Sequence, residues 1–115
     1  MWLLAHLLSL YDLNSKKREL RVWAHGNLIE LYLLSLAMKP DNDRPPVPEA
    51  ERRALQYTDA LVDFAGRDSF EVYSTRRQVL RYIEWFNEIS NLGAATVLAE
   101  KIFQRFPEEA EEKWK

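Results

Sequence analysis

The segment from residue 19 to residue 38, ELRVWAHGNLIELYLLSLAM, constrains the fold of this chain more than any other. At 100° per residue, Leu28 and Tyr32 share one helical face, while Leu33 and its apolar neighbours occupy other sides. The second half of the segment therefore has almost no polar face, and such a helix must be covered from several directions. We predict that it forms the central helix, with bounds 16–38.

The rest of the chain shows helical patterns between clear breaks. The 115 residues are enough for one domain, and the three glycines together with the Leu-rich segments favour an all-α fold. The stretch 40–48 contains four prolines and is predicted to be an extended loop. We predict a single helical domain over 1–115, built as antiparallel helical hairpins from about five helices at 2–13, 16–38, 49–65, 70–90 and 94–106.

Local signals define several helix ends and inward faces. Gly66 is predicted to end the third helix in the left-handed region, and the segment 68–71, DSFE, to form a capping box for the fourth. Ile89 is predicted to lie on the core face of the fourth helix and Val97 on that of the fifth. Pro107 and the glutamates that follow it are typical of a helix N-terminus, so the tail could begin one more turn of helix. Trp114 would be the first apolar residue by which that turn packs on the domain.

Composition excludes several classes of function. The absence of cysteine removes disulfides and thiolate chemistry and fits a reducing compartment, so we predict a cytoplasmic protein. A formal net charge of −2 provides no general attraction to nucleic acid or to anionic lipid. The apolar run at residues 2–11 is about half the ~20 residues that a membrane span needs, so we predict no membrane insertion.

Two segments contain motifs of a helical repeat. Trp23, Gly26 and Tyr32 resemble the first-helix signature of the tetratricopeptide (TPR) repeat, although the Trp-to-Gly spacing is one residue short and His25 replaces a Leu. The resemblance extends over 20–65 and 70–107, where further matches are Leu92, Gly93, Ala99, Phe103 and Pro107. TPR-like domains are interaction scaffolds that hold a peptide or a partner domain in a concave groove. A generic helical bundle is the alternative.

The histidines suggest a second hypothesis. Arg18 followed by His25 resembles the arginine-to-histidine motif of HEPN ribonucleases, which implies that the Arg binds phosphate and the His acts in acid–base chemistry. A hydrogen-bonded His in a packed helix explains the same residues. His6 lies in an apolar run without spaced ligands nearby. We predict no metal site, no cofactor and no enzymatic activity.

A nucleic-acid-binding helix-turn-helix is the third hypothesis. Its turn would be residues 91–93 and its recognition helix residues 94–106. The polar residues of that helix include only two basic ones, Lys101 and Arg105, which is too few for a convincing reader of DNA. The pattern therefore argues against nucleic acid as the partner.

The aromatic residues indicate a protein partner. They make up 12% of the chain, more than a core of this size needs, and several fall on helix flanks or at the chain ends. Trp and Tyr beside Arg are typical of interfaces. We predict a non-enzymatic protein–protein interaction or regulatory module, part of a larger protein or a homo-oligomer, which binds a protein partner or a second copy. The candidate contact residues are Tyr73, Arg77, Arg81, Trp85, Trp2 and Trp114.

Overall fold

The fold is organised around one helix, α2 (Arg18–Ala37), which packs against four others. The computed structural model describes residues 2–14, 17–37, 45–89 and 93–115, and for residues 2 and 3 it describes the backbone alone. Leu28, Ile29 and Leu33 of α2 are fully enclosed by other elements. The prediction of a central apolar helix is therefore confirmed.

Helices account for nearly all of the described residues, among which there is no strand, so the predicted all-α class is confirmed. The predicted ends of the second helix (16 and 38) and of the fourth (90) lie outside the described residues, as does the segment 40–44 of the predicted loop. The tail forms a sixth helix beyond the five predicted. The helices are α1 (Trp2–Leu13), α2 (Arg18–Ala37), α3 (Val47–Ala65), α4 (Phe70–Glu88), α5 (Gly93–Arg105) and α6 (Glu109–Trp114).

The link between α3 and α4 follows local chemistry. Ser69 is the N-cap of α4, and its hydroxyl oxygen accepts a hydrogen bond from the Val72 backbone N–H at 3.2 Å. Gly66 follows α3 with φ +104°, a backbone conformation that L side chains rarely adopt. Its ψ of 143° is extended rather than left-handed helical, so Gly66 ends α3 in an extended conformation instead of the predicted left-handed helical one.

From α1 to α5, consecutive helices run antiparallel. His6, near the start of α1, meets Tyr32, near the end of α2. The ring of Tyr32 in turn stacks on Tyr57 of α3 at 6.0 Å between ring centres. In the next pair, the guanidinium carbon of Arg76 in α4 lies 4.3 Å from the ring centre of Phe103, near the end of α5. The chain therefore forms helical hairpins, as predicted.

The hairpins α2–α3 and α4–α5 are stacked in the same direction. Helices α2 and α4 run parallel, because Arg18 near the start of α2 contacts Glu71 near the start of α4 at 3.8 Å, and Glu30 further along α2 contacts Tyr82 further along α4 at 3.0 Å. Helices α3 and α5 do the same, with contacts at Glu51–Lys101 and Asp59–Arg105, both 2.6 Å. The Cα envelope measures 36 × 31 × 18 Å, so the domain is about two helices thick.

Two inward-facing assignments were wrong. Ile89 is exposed because it lies one residue past the end of α4 with an extended backbone, φ −112° and ψ 116°, and so leaves the helical face. Val97 is exposed because the buried stripe of α5 is formed instead by Ala95, Leu98, Ala99 and Ile102. Two alanines in that stripe let α5 approach its neighbours closely, which favours tight packing.

Candidate functional site

A groove lies over α2 because its two neighbours on that side do not meet. Helices α1 and α4 both pack against α2, yet no Cα atom of one lies within 8 Å of a Cα atom of the other. The floor of the groove is a stripe of α2 that runs from Trp23 to Leu34 at helical spacing. At 1.5 Å per residue this stripe is about 16 Å long, or three helical turns. We call this site the α2 groove.

The α2 groove consists of two adjoining cavities that share Asn27 and Glu30. The cavity toward α1 has a volume of about 370 Å³ and is lined by Ala5, Leu8, Ser9, Asp12, Asn27, Glu30, Leu31, Leu34 and Tyr82. The cavity toward α4 has a volume of about 290 Å³ and is lined by Trp23, Gly26, Asn27, Glu30, Ser74, Thr75 and Gln78. Together they have room for several side chains of a partner.

The α1 side of the groove combines apolar Ala5 and Leu8 with polar Ser9 and Asp12, and its apolar part continues onto the outer surface of the molecule. Leu8 lines the first cavity and is also 59% exposed. Leu4 and Tyr11 lie one helical turn from it, Leu7 precedes it in the sequence, and all three are more than half exposed. A helical face with apolar residues at this spacing normally packs against another element. This surface is the largest run of exposed apolar side chains on any one described helix.

The centre of the groove is polar and ordered. Tyr82 of α4 donates its hydroxyl hydrogen to Glu30 Oε1 at 3.0 Å, which connects the floor to one wall. Burial, together with the Glu30 carboxylate, raises the pKa of the Tyr82 phenol, so the phenol stays protonated and remains a donor. The Glu30 carboxylate is therefore held at the junction of the two cavities.

The opposite wall is held in place by a histidine. His6 Nε2 of α1 lies 2.7 Å from the Tyr32 hydroxyl oxygen of α2, and the rings meet edge to face. Burial, and secondarily the charge of Arg53, lowers the pKa of His6, while burial raises the pKa of Tyr32. The neutral imidazole therefore helps fix α1 at the position that leaves the groove open.

Two of the predicted contact residues lie beside the α2 groove. Arg81 donates to the Gln78 side-chain oxygen at 2.8 Å, and Gln78 lines the second cavity. Trp85 is 55% exposed and meets Tyr82 edge to face at 5.7 Å between ring centres. Both side chains extend the α4 wall outward, so they remain available to a partner in the groove.

The other predicted contact residues lie elsewhere. The Arg77 guanidinium lies over the Tyr73 ring at 5.7 Å and bonds Glu111 of α6 at 2.8 Å. Trp114 Nε1 donates to the Asp68 carbonyl oxygen at 2.8 Å. These three predicted residues therefore join α4 and its preceding turn to α6. The side chain of Trp2 lies outside the described residues.

The sequence reasoning missed the floor of the groove. Trp23 stands out in the sequence only as part of the repeat signature, and no sequence pattern assigns Asn27 or Glu30 a role in binding. A signal was present, because Asn27 and Glu30 are polar residues three positions apart on the most apolar helix of the chain. A polar strip on such a helix indicates a side that the fold itself leaves uncovered.

The residues of the ribonuclease hypothesis form a packed cluster. His25 stacks on Phe64 at 5.9 Å between ring centres, and its Nδ1 lies 2.6 Å from the Arg21 carbonyl oxygen. The guanidinium carbons of Arg21 and Arg18 lie 4.7 and 5.8 Å from the centre of the same Phe64 ring. Cation–π and stacking contacts thus account for their positions, and the ribonuclease hypothesis stays an untested alternative.

The basic residues of the helix-turn-helix hypothesis are engaged with α3. Lys101 and Arg105 pair with Glu51 and Asp59, which reduces the positive charge that α5 offers to a phosphate. Residues 91 and 92 of the proposed turn lie outside the described residues. Within the described ranges no group of three or more His, Asp or Glu side chains is placed to hold a metal ion.

No protein family, no curated protein and no solved structure matches this chain. Among the described helices, none is both long and apolar enough to cross a membrane. The α2 groove must therefore be interpreted from its own residues.

Proposed function

We propose that this protein is a non-enzymatic interaction module that holds a segment of a protein partner in the α2 groove. The observation that supports this most directly is the gap between α1 and α4, which both pack against α2 without meeting each other. The three-turn stripe of α2 between them stays accessible in part, since Trp23 and Asn27 are exposed and Glu30 is partly exposed. The two cavities above it have room for several side chains. Concave sites between helices are common binding positions in helical proteins.

Two further observations support the proposal. The hairpins α2–α3 and α4–α5 are stacked in the same direction, which is how helical repeats of the TPR-like kind build their grooves. Exposed Trp23 and Trp85 flank the groove, and Trp is among the residue types that contribute most at interfaces. A TPR-like repeat and an interaction module would both use a groove of this kind, so the two proposals are consistent with each other.

The test is a selection of peptides from a random library, because such a library assumes nothing about the partner. Displayed peptides of about 16 residues are selected on the full chain and then counter-selected on Asn27→Trp. Asn27 is exposed and lines both cavities, so an indole there fills the groove without entering the core. Circular dichroism verifies that the variant folds, and Ser74→Trp on the α4 wall is a second blocking variant.

The expected result is a set of peptides that bind the unmodified chain and lose at least tenfold in affinity for both blocking variants. The proposal is wrong if selection yields no peptide, or if the selected peptides bind the blocked variants equally well. The second result would place any binding surface outside the α2 groove.

A further inference from the structure

We infer that the occupant of the α2 groove is an amphipathic helix of a different protein, about three turns long, with Lys or Arg beside its apolar stripe. The inference rests on the proposed function and deepens it by naming the chemistry of the partner. Three properties of the groove support it: the charges that line it, the apolar surface around them and the helical spacing of its floor.

The charged residues that line the α2 groove are all acidic. Asp12 and Glu30 line the apolar cavity, and neither cavity has a Lys, Arg or His among its described lining residues. Asp12 lies in the last turn of α1, where the backbone carbonyls add partial negative charge. A cation is therefore the complementary charge at this position.

Many basic side chains of the domain are paired with carboxylates at other positions. Within the described ranges, eight ion pairs join Lys or Arg to carboxylates outside the groove lining. Asp12, by contrast, has no ion-pair partner in the described part of the chain. Glu30 is bonded only to the neutral Tyr82 hydroxyl there. The negative charge of the groove is thus left for a partner to balance.

The apolar part of the groove requires apolar side chains on the same partner. Leu8 of α1 and Leu31 and Leu34 of α2 line the first cavity. The exposed side chain of Leu4 extends this apolar surface outward along α1. Burying this surface is favourable at about 25 cal/mol per Å². A purely hydrophilic cation would leave it in water. The matching ligand therefore combines leucine-like side chains with a positive charge one helical turn away.

The floor selects a helix over an extended peptide. Trp23, Asn27, Glu30 and Leu34 follow helical spacing, so the groove receives the ridge of another helix. A peptide that binds by strand addition pairs its backbone with a sheet edge, and the described residues contain no strand to provide one. A helix satisfies its own backbone and presents apolar residues at positions i, i+3, i+4 and i+7.

A second copy of the chain fits the groove less well than a different protein does. The most exposed apolar helix of this chain is α1, with the sequence WLLAHLLSLYDL, which has no Lys or Arg. A second α1 would place another Asp12 near the acidic groove rather than a cation. Charge complementarity therefore favours a partner that is not this protein.

The experiment uses three fluorescein-labelled synthetic 15-residue peptides with the full chain. The first has leucines at i, i+3, i+4 and i+7 with lysines on the adjoining positions. The second replaces each lysine by glutamate, and the third scrambles the first, which keeps its charge but removes the apolar stripe. Affinities are measured by fluorescence anisotropy. We expect the first peptide to bind at least tenfold more tightly than the other two.

Charge-removing variants test whether the acidic groove is responsible. In Asp12→Asn/Glu30→Gln the side chains keep their shape, and the Gln oxygen still accepts from Tyr82, so only the charge is lost. We expect this variant to bind the basic peptide about tenfold more weakly. The matched control Asp63→Asn/Glu100→Gln removes two exposed carboxylates outside the groove, and we expect it to bind like the unmodified chain.

Several results would overturn the inference. One is equal affinity for the basic and the acidic peptide, and another is equal affinity of both double variants for the basic peptide. A third is a dimer in light scattering that Asn27→Trp converts to a monomer, because the occupant would then be a second copy. If the random library yields groove-dependent peptides without Lys or Arg, this inference fails while the proposed function stands. If it yields no groove-dependent peptide, both fail.

Discussion

The attachment of α6 offers the sharpest test of how this fold is held together. Glu111 of α6 bonds two guanidinium groups of α4, Arg76 at 3.3 Å and Arg77 at 2.8 Å. Its side chain is 19% exposed and that of Arg76 is 13% exposed, whereas Arg77 is well exposed. The perturbation is Glu111→Gln, which keeps the size of the side chain and removes the charge.

The magnitude follows from the partial burial of Arg76. Removing one partner of a fully buried ion pair costs about 3–5 kcal/mol, while exposed pairs contribute about 0–1 kcal/mol. The Arg76 Nε is already buried without a hydrogen-bond partner, so losing Glu111 leaves the guanidinium poorly satisfied. Its contact with the Phe103 ring is retained. We expect the free energy of unfolding to fall by about 2 kcal/mol, between the two limits.

The assay is urea unfolding followed by circular dichroism. With a slope of about 1.5 kcal/mol per M, a loss of 2 kcal/mol lowers the midpoint by roughly 1.3 M. The matched control is Glu109→Gln on the same helix. Glu109 Oε2 lies 2.8 Å from Arg67 Nε, and both side chains are exposed to solvent, so we expect no measurable change in the urea midpoint. A specific role of the Glu111–Arg76 pair is refuted if Glu111→Gln unfolds like the unmodified chain, or if Glu109→Gln is equally destabilising.

Three further predictions concern single positions. Gly66→Ala should lower the unfolding free energy by about 1 kcal/mol or more in urea titrations, because its φ is +104°. Gly26→Ala should instead be neutral or stabilise by up to about 1 kcal/mol in the same assay, because the new Cβ meets Thr75 Oγ1 at an ordinary 3.5 Å. Burial and Arg53 lower the pKa of His6 from 6.5, so the unfolded chain binds this proton more readily. Stability should therefore decline as the pH falls below 6.5, and His6→Gln should reduce that decline in urea midpoints between pH 7.5 and 5.

Interaction surfaces were harder to predict than helices because exposure depends on which elements meet. Trp114 and Trp85 are both flanking aromatics in the sequence, yet Trp114 is engaged by the turn before α4 while Trp85 remains open beside Tyr82. Arg77 and Arg81 lie four residues apart on one helix, and only Arg77 reaches α6. Those differences follow from the position of α6, which no local pattern specifies.

The sequence by itself determined the helical class and the central position of α2, because helical periodicity and an apolar surface without a polar side are properties of a single segment. Caps and breaks such as Ser69 and Gly66 are likewise local, since they satisfy or redirect the backbone of their own residues. Only the tertiary structure decided that α1 and α4 pack on α2 without meeting. The groove and its two carboxylates, Asp12 and Glu30, arise from the spacing between helices, which depends on the packing of side chains far apart in the chain.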